Sequence, residues 1–514
     1  MSYTTFAAIY IGTYDVTMEV FEISKKNGIK SIDKIRKHLE IATDTYATGK
    51  ISPENIRLLI GILENLMQIS KGYKVETVRV LAGSSIRDAR NNLFIMGQIR
   101  EATGLNVELL SNSEQRFLSF KSIVSSDPKF AELMEKGTAI IDVGGGSIQV
   151  SIFDNGRLNT TLNLKIGSLR VRDRLIPMTA STDNYPELVE EFISHELHTF
   201  RVVHLQGRKF ESVILNGDFI TETLFRNFGY DESNAVSRKR FDKWYEQIVQ
   251  RRDDQLARML NIPDEFASLI RPTAILYHKF VDELGAQLIY ASGVSLSRGV
   301  AYEYAEKSKK LKEAHNFEED IFGAALELAH RYRVEPEHVR NVDLCAMAIF
   351  DAIRRRFGLS ARDRLLLRIA VVLHEVGKYI SLNNNGACAY QIIIHNEIIG
   401  LSHKERMLVA LTDMYNTCWL PEFDNFIRET GIDEEAYYIK VAQMTAMLRL
   451  ANELDRSHHQ KVQQIRARLK EDELRITVSV NGTFVLEQNL VPRQIYFFKD
   501  VFNLDVDLHV VRNQ

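Results

Sequence analysis

The chain has 514 residues, 45% hydrophobic and 26% charged, with a formal net charge of -3. That is length for three or four domains with real cores, and no global charge that argues for nucleic acid or an anionic membrane surface. No apolar stretch approaches the roughly 20 residues of a spanning helix, nothing near the start has the basic head of a signal peptide, and Cys345, Cys388 and Cys418 show neither metal spacing nor a disulfide framework. A cytoplasmic location is the expectation.

In chain order, residues 6–11 form a strand-like run, Gly12 and Thr13 a turn, and Val16, Met18 and Val20 an alternating return. Ser52 and Pro53 open a helix as N-cap and first residue, with Ile56, Leu59, Ile60, Leu63, Leu66 and Met67 on one face. A strand over 75–81, a loop at 82–87, a helix near Asn92–Thr103, a strand over 107–110 and a helix from Ser113 complete an alternating α/β pattern.

The run Ile140-Ile141-Asp142-Val143-Gly144-Gly145-Gly146-Ser147 then repeats the opening shape, with Ile148, Val150 and Ile152 returning. Successive glycines let a backbone approach an oxyanion closely, and their N–H groups form an anion nest. Asp142, at the strand end, suits a Mg²⁺ or a water beside a bound phosphate. An ordinary glycine-rich hairpin is the plain alternative. Two such hairpins about a domain apart predict related lobes facing one cleft. The α/β pattern continues with strands over 158–164, 212–215 and 287–291, and Ser292-Gly293 opening a last helix.

Residues 306–319, dense in lysine and glutamate, read as a linker or a solvated helix. Beyond them the pattern is all helical. Ser360 with Asp363 and Ser402 with Glu405 are capping boxes, and 365–373, apolar almost all round, predicts a central buried helix. The runs Arg354–Arg355–Arg356 and Arg456 to Lys461, with His458 and His459, are solvated helix faces or contacts for a polyanion. In the tail, Leu474, Ile476, Val478 and Val480 alternate up to Asn481-Gly482, a hairpin signal, with Phe484 and Leu486 returning and 504–510 alternating again.

With both hairpins in view, the chain resembles the exopolyphosphatase and guanosine pentaphosphate phosphohydrolase (Ppx/GppA) family, in its long form. Residues 82–91 are similar to the family's Thr-Ser-Ala-x-Arg-x-Ala-x-Asn segment, Leu109-Leu110-Ser111-Asn112-Ser113-Glu114-Gln115 to its Ser-Gly-x-Glu-Glu stretch, and Ile166-Gly167-Ser168-Leu169-Arg170 to a further element. The resemblance implies an actin-like α/β fold (the sugar kinase and heat-shock ATPase superfold) in duplicated lobes, 1–125 and 126–305. It further implies an all-α HD-like domain over 316–460 and a small β-rich appendix over 461–514.

The implied reaction is hydrolysis of a terminal phosphoanhydride in polyphosphate or pppGpp, with Mg²⁺ assisting attack by water. The implied phosphate cradle is Gly12, Thr13, Arg87, Gly144, Gly145, Gly146 and Ser147, with Asp142 toward the metal. The acids depart from the family pattern. Tyr10 stands for an aspartate, Tyr14-Asp15 for Asn-Ser, Gln115 for the second acid of the Glu-Glu pair (the family's base), and Gln149 for a glutamate. Glutamine keeps the shape of glutamate but cannot take a proton at neutral pH. Glu114 survives beside Gln115, either reaching the cleft as a base or facing solvent.

In the helical half, His338, His374-Glu375 and Asp455 stand where an HD phosphohydrolase has its metal ligands. Cys388 and Asn452 replace a frequent histidine and aspartate. With that set altered, the expectation is a hydrogen-bonded remnant holding well under one equivalent of transition metal. The expected partners are a polyphosphate or guanosine polyphosphate ligand and, in a homodimer, a second copy of the chain, with neither DNA nor membrane. Two functions stay open: the hydrolase, and a catalytically weak or silent ligand sensor that signals through lobe closure.

Overall fold

The computed structural model describes residues 3–512 except 127, 155, 182–183, 206, 218, 227–234, 309–310 and 312–314. The chain forms two compact units, Met1–Phe317 and Glu318–Gln514.

The first unit is built on two sheets. Strands β1 (Thr4–Ile11), β2 (Asp15–Ser24), β3 (Gly28–His38), β4 (Thr77–Ala82) and β5 (Val107–Leu109) lie in the order β3-β2-β1-β4-β5. Strands β6 (Thr138–Val143), β7 (Ile148–Asp154), β8 (Arg157–Leu164), β9 (Ser212–Gly217), β10 (Ala235–Ser237) and β11 (Leu288–Ala291) lie in the order β10-β11-β9-β6-β7-β8. Read from the other edge, β8-β7-β6-β9-β11 repeats the first sheet: an antiparallel meander followed by two parallel strands. Duplicated topology puts the β1–β2 turn and the β6–β7 turn in equivalent places. In each sheet the central strands carry helices, so their residues run buried without alternation, as in Ala139, Ile140, Ile141 and Val143.

The helix Pro53–Gly72 forms as its sequence predicts. Ser52 accepts from Asn55 N, Pro53 occupies the first turn, and Ile56, Leu59, Leu63 and Leu66 are buried on the first sheet, with Ile60 and Met67 half-buried beside them. Each such side chain contributes roughly 1.5–3 kcal/mol when fully buried. The last helix of the unit, Leu296–Lys307, starts at the Ser295 cap rather than at Ser292-Gly293. Although it follows the second sheet in sequence, Val300, Ala301 and Ala305 pack with Phe6, Ala8 and Phe21 of the first. Strand β3, lysine-rich and only partly buried, gives no alternating signal and was not anticipated.

Of the stretch 306–319 expected as a linker or a solvated helix, residues 306–307 end helix Leu296–Lys307 and residues 317–319 begin helix Phe317–Arg331; residues 309–310 and 312–314 lie outside the described residues.

The second unit is helical. Ala361–Leu373 is its central helix, packed against Pro336–Ile353, His403–Thr417 and Glu435–Glu453. Both expected capping boxes are present, at Ser360 with Asp363 and at Ser402 with Glu405. The small sheet joins β12 (Val462–Lys470), β13 (Glu473–Val480) and β14 (Asp505–Arg512) in that order. The hairpin is β12–β13, turning at Glu471, whose φ is 52°. Asn481-Gly482 instead leads into helix Val485–Phe502, a crossover that makes β14 parallel to β13. No described helix is long and apolar enough to cross a membrane.

Candidate active site

The β6–β7 turn is held from behind by the start of helix Ser168–Leu175. Ser168 N donates to Gly144 O at 3.0 Å, Leu169 N and Arg170 N to Gly145 O at 3.0 and 3.2 Å, and Arg170 Nε to Gly146 O at 2.8 Å. The helix thereby satisfies its own early N–H groups and takes the loop's carbonyls. The amides of Gly145 and Gly146 have no acceptor among the described residues. A cavity of about 100 Å³ is lined by this loop and by Gly12, Thr13, Tyr10, Gln115, Asp142 and Gln149, among others. The two turns meet tightly: a Cβ on Gly145 would sit 2.2 Å from Thr13 Oγ1, and one on Gly146 would sit 2.0 Å from Tyr46 Oη.

Asp142 ends β6 directly opposite Gln149 of β7. Its Oδ2 accepts from Asn216 Nδ2 at 2.6 Å. Burial raises its pKa, opposed by hydrogen bonds from Asn216 and Ser119 and by the Arg116 charge. Gln149 is 3% exposed, and its Oε1 has no donor among the described residues. A carboxylate and an unserved amide oxygen on one face fit a Mg²⁺ that takes its other ligands from water and phosphate. Tyr10 and Gln115 meet at Gly83, where an added Cβ would lie 2.5 Å from Tyr10 Oη and 3.3 Å from Gln115 Oε1. Burial pushes the Tyr10 hydroxyl up, against the opposing Arg87 charge, so it stays neutral.

Two expected residues are engaged elsewhere. Glu114 does not line the cavity; its Oε2 accepts from Ser111 N at 2.9 Å and Ser111 Oγ at 2.7 Å, closing the cap of its own helix. Arg87 also lies outside the lining, donating to Leu110 O at 2.6 Å and Asn112 Oδ1 at 2.7 Å and pairing with Asp88 at 3.1 Å.

The cavity contains charges that motif reading passed over. Asp15 pairs with Arg36 Nε at 2.9 Å, Arg36 lies 3.7 Å from Glu222, and Lys34 pairs with Glu222. Burial raises the Asp15 pKa, with Arg36 opposing. Beside the loop, the Arg170 guanidinium stacks 3.7 Å from the Tyr46 ring centre. Asp15 was legible only as a departure from the family turn, and Arg36 and Lys34 sit on the unanticipated β3. Asn216-Gly217 at a strand end was the available signal for Asn216.

In the helical unit, His338, His374 and Glu375 do come together, with ligand atoms all within 4.8 Å of one another. Asp455 stands behind His338, its Oδ2 2.8 Å from Nδ1. Burial lowers the His374 pKa to about 4, with Glu375 opposing. Cys388 is outside this cluster and free.

Duplicated lobes whose equivalent hairpin turns line one cavity define an actin-like fold. Comparison with known proteins agrees. Sequence profiles of the Ppx/GppA phosphatase family and of Ppx/GppA phosphatase domain III match residues 20–308 and 323–495. A guanosine-5'-triphosphate,3'-diphosphate pyrophosphatase of Photobacterium profundum is 20% identical over 412 residues, 79% of each chain. The structure is similar to that of an exopolyphosphatase from Cytophaga hutchinsonii, with a TM-score of 0.51 and 16% identity over 59% of this chain and 98% of that one. An exopolyphosphatase-like protein gives a TM-score of 0.50 at 16% identity, over 59% of this chain and all (100%) of the other. The chain belongs to the Ppx/GppA phosphatase family.

Proposed function

We propose that the cleft of the first unit binds a phosphoanhydride polyanion, inorganic polyphosphate or pppGpp, with its terminal phosphate on the 144–147 loop, and hydrolyses it slowly. The observation that supports this most is the loop itself: its carbonyls are taken by helix Ser168–Leu175 while the Gly145 and Gly146 amides remain available. The arrangement is preorganised, so phosphate meets donors that need no rearrangement.

Turnover asks for a base within hydrogen-bond reach of water, a contribution of roughly 10²–10⁴-fold. Gln115 at that position cannot serve, and Glu114 is closed onto Ser111. Asp142 and Gln149 would hold Mg²⁺, which when bound would neutralise phosphate charge. Asp15 contributes little free charge, being paired with Arg36.

The same neutral side chains favour a second reading, a ligand sensor that signals through lobe closure. Equilibrium binding of polyphosphate and pppGpp, measured beside phosphate release with Mg²⁺ and Mn²⁺, tests both. Binding with little release is expected. Absence of binding to either ligand would end both readings.

A further inference from the structure

The helical unit buries a cluster of two histidines and a glutamate. His338 and His374 are 0% and 1% exposed. Nδ1 of His338 lies 2.8 Å from Asp455 Oδ2, and Nδ1 of His374 lies 2.7 Å from Val371 O. A carboxylate and a carbonyl can only accept, so both Nδ1 atoms carry the hydrogen and both Nε2 atoms present lone pairs. Yet these Nε2 atoms face each other at 3.3 Å. Glu375 Oε1 lies 3.8 and 3.9 Å from them, and Asn452 Oδ1 lies 3.2 Å from His338 Nε2. The Asn452 amide, turned over, would give His338 one donor and still leave His374 Nε2 without one, beside a Glu375 carboxylate that Lys378 holds from the other side. Two imidazole lone pairs facing each other beside a carboxylate in a buried pocket suit a cation between them.

We propose that the helical unit binds a divalent first-row transition metal of the Zn²⁺ kind through His338 Nε2, His374 Nε2 and Glu375, with Asp455 orienting His338 rather than binding the metal. Donors at about 2.0–2.2 Å from one tetrahedral ion stand roughly 3.3–3.5 Å apart, so a shift of about half an ångström in Glu375 closes the site. Asp455 is not spare for coordination: Oδ2 holds His338, and Oδ1 accepts from Gln460 N at 2.8 Å. A carboxylate on Nδ1 and a carbonyl on the other Nδ1 are the outer contacts that fix metal-ligating histidines.

The ligand set therefore differs from the one implied by resemblance, which counts Asp455 as a ligand, and it reverses the expectation of a nearly metal-free protein. Three protein ligands leave one position open. The partly exposed side chains Lys378 and His458 mark that side: Lys378 pairs with Glu375, and His458 stacks on His338 at 3.7 Å with its Nε2 3.4 Å from Glu375 and its Nδ1 2.9 Å from Glu335. The inference does not depend on the cleft.

The test uses the full chain, stripped with a chelator and titrated with Co²⁺, then with Zn²⁺ as competitor. The natural protein should bind one equivalent of Co²⁺ with the visible ligand-field absorption of a four-coordinate site, and Zn²⁺ should displace it. His374→Ala and Glu375→Gln should each weaken binding at least about 100-fold. Asp455→Asn should weaken it roughly 10–100-fold while reaching the same stoichiometry. Cys388→Ser should change nothing.

Glu375→Gln is near-isosteric, so it carries the test if His374→Ala fails to fold. A rise in Tm with Zn²⁺ that is lost in Glu375→Gln gives an independent reading. No visible band in the natural protein, a band that survives His338→Ala combined with His374→Ala, or a band lost in Cys388→Ser would each overturn the site. Absence of the band would mean that the facing nitrogens are bridged by a proton.

Discussion

At the scale of single residues, the loop separates glycines that are needed from one that is not. A Cβ on Gly146 would lie 2.0 Å from Tyr46 Oη and 2.7 Å from Ser84 Oγ, whereas one on Gly144 would meet only Ser147 O at 3.5 Å, an ordinary contact. Gly146→Ala should lose polyphosphate binding and lower Tm, while Gly144→Ala keeps the natural Tm; equal thermal melts for the two would contradict the packing. Arg87→Ala should lower stability by roughly 1–3 kcal/mol, because Leu110 O and Asn112 lose their donor. A denaturant titration checks this, and an unchanged midpoint would mean that Arg87 is free for phosphate. Gly145 and Gly146 were legible because only glycine tolerates such approach. The engagement of Arg87 and Glu114 was not, since a motif reports residue types and not whether a neighbour such as Ser111 has already taken the carboxylate.

Among the secondary-structure elements, helix His403–Thr417 carries an internal contradiction. Asp413 is 0% exposed, and neither carboxylate oxygen has a partner among the described residues. Burial raises its pKa well above the usual carboxylate range. A raised acid favours the folded state fully only below its unfolded pKa, near 3.9, and that contribution is lost as pH rises toward the folded value. Asp413→Asn should therefore gain stability over the natural protein as pH rises from 5 to 7, by up to about 1.4 kcal/mol per unit. Melts that differ equally at both pH values would contradict this.

Elements whose sequence signals are local were legible, such as the Ser360 and Ser402 capping boxes. Helix Val485–Phe502 was misread because Asn481-Gly482 mimics a hairpin and Pro492 interrupts the helical pattern. Its buried Val491, Phe498 and Phe502 nevertheless keep helical spacing. Strand β3 escaped because it is only partly buried and carries lysines on both faces.

For the whole molecule, the duplicated lobes were readable from two hairpins of one shape, but the return of helix Leu296–Lys307 to the first sheet was not. That helix follows the second lobe in sequence and packs against Phe6 and Phe21 by tertiary contact alone. The two compact units predict that limited proteolysis cuts first within residues 308–316, giving fragments close to Met1–Phe317 and Glu318–Gln514. Early cuts inside either unit would count against the division. The central claim is that the cleft kept phosphate binding and lost the chemistry of turnover. Its most direct measurement is phosphate release beside polyphosphate affinity, for the natural protein and for the combined variant Tyr10→Asp, Gln115→Glu and Gln149→Glu. The natural protein should bind with slow release, and the variant, with acids restored around Asp142, should release phosphate faster by up to roughly 10²–10⁴-fold. Brisk release by the natural protein, abolished by Glu114→Gln, would contradict the account and make Glu114 the base.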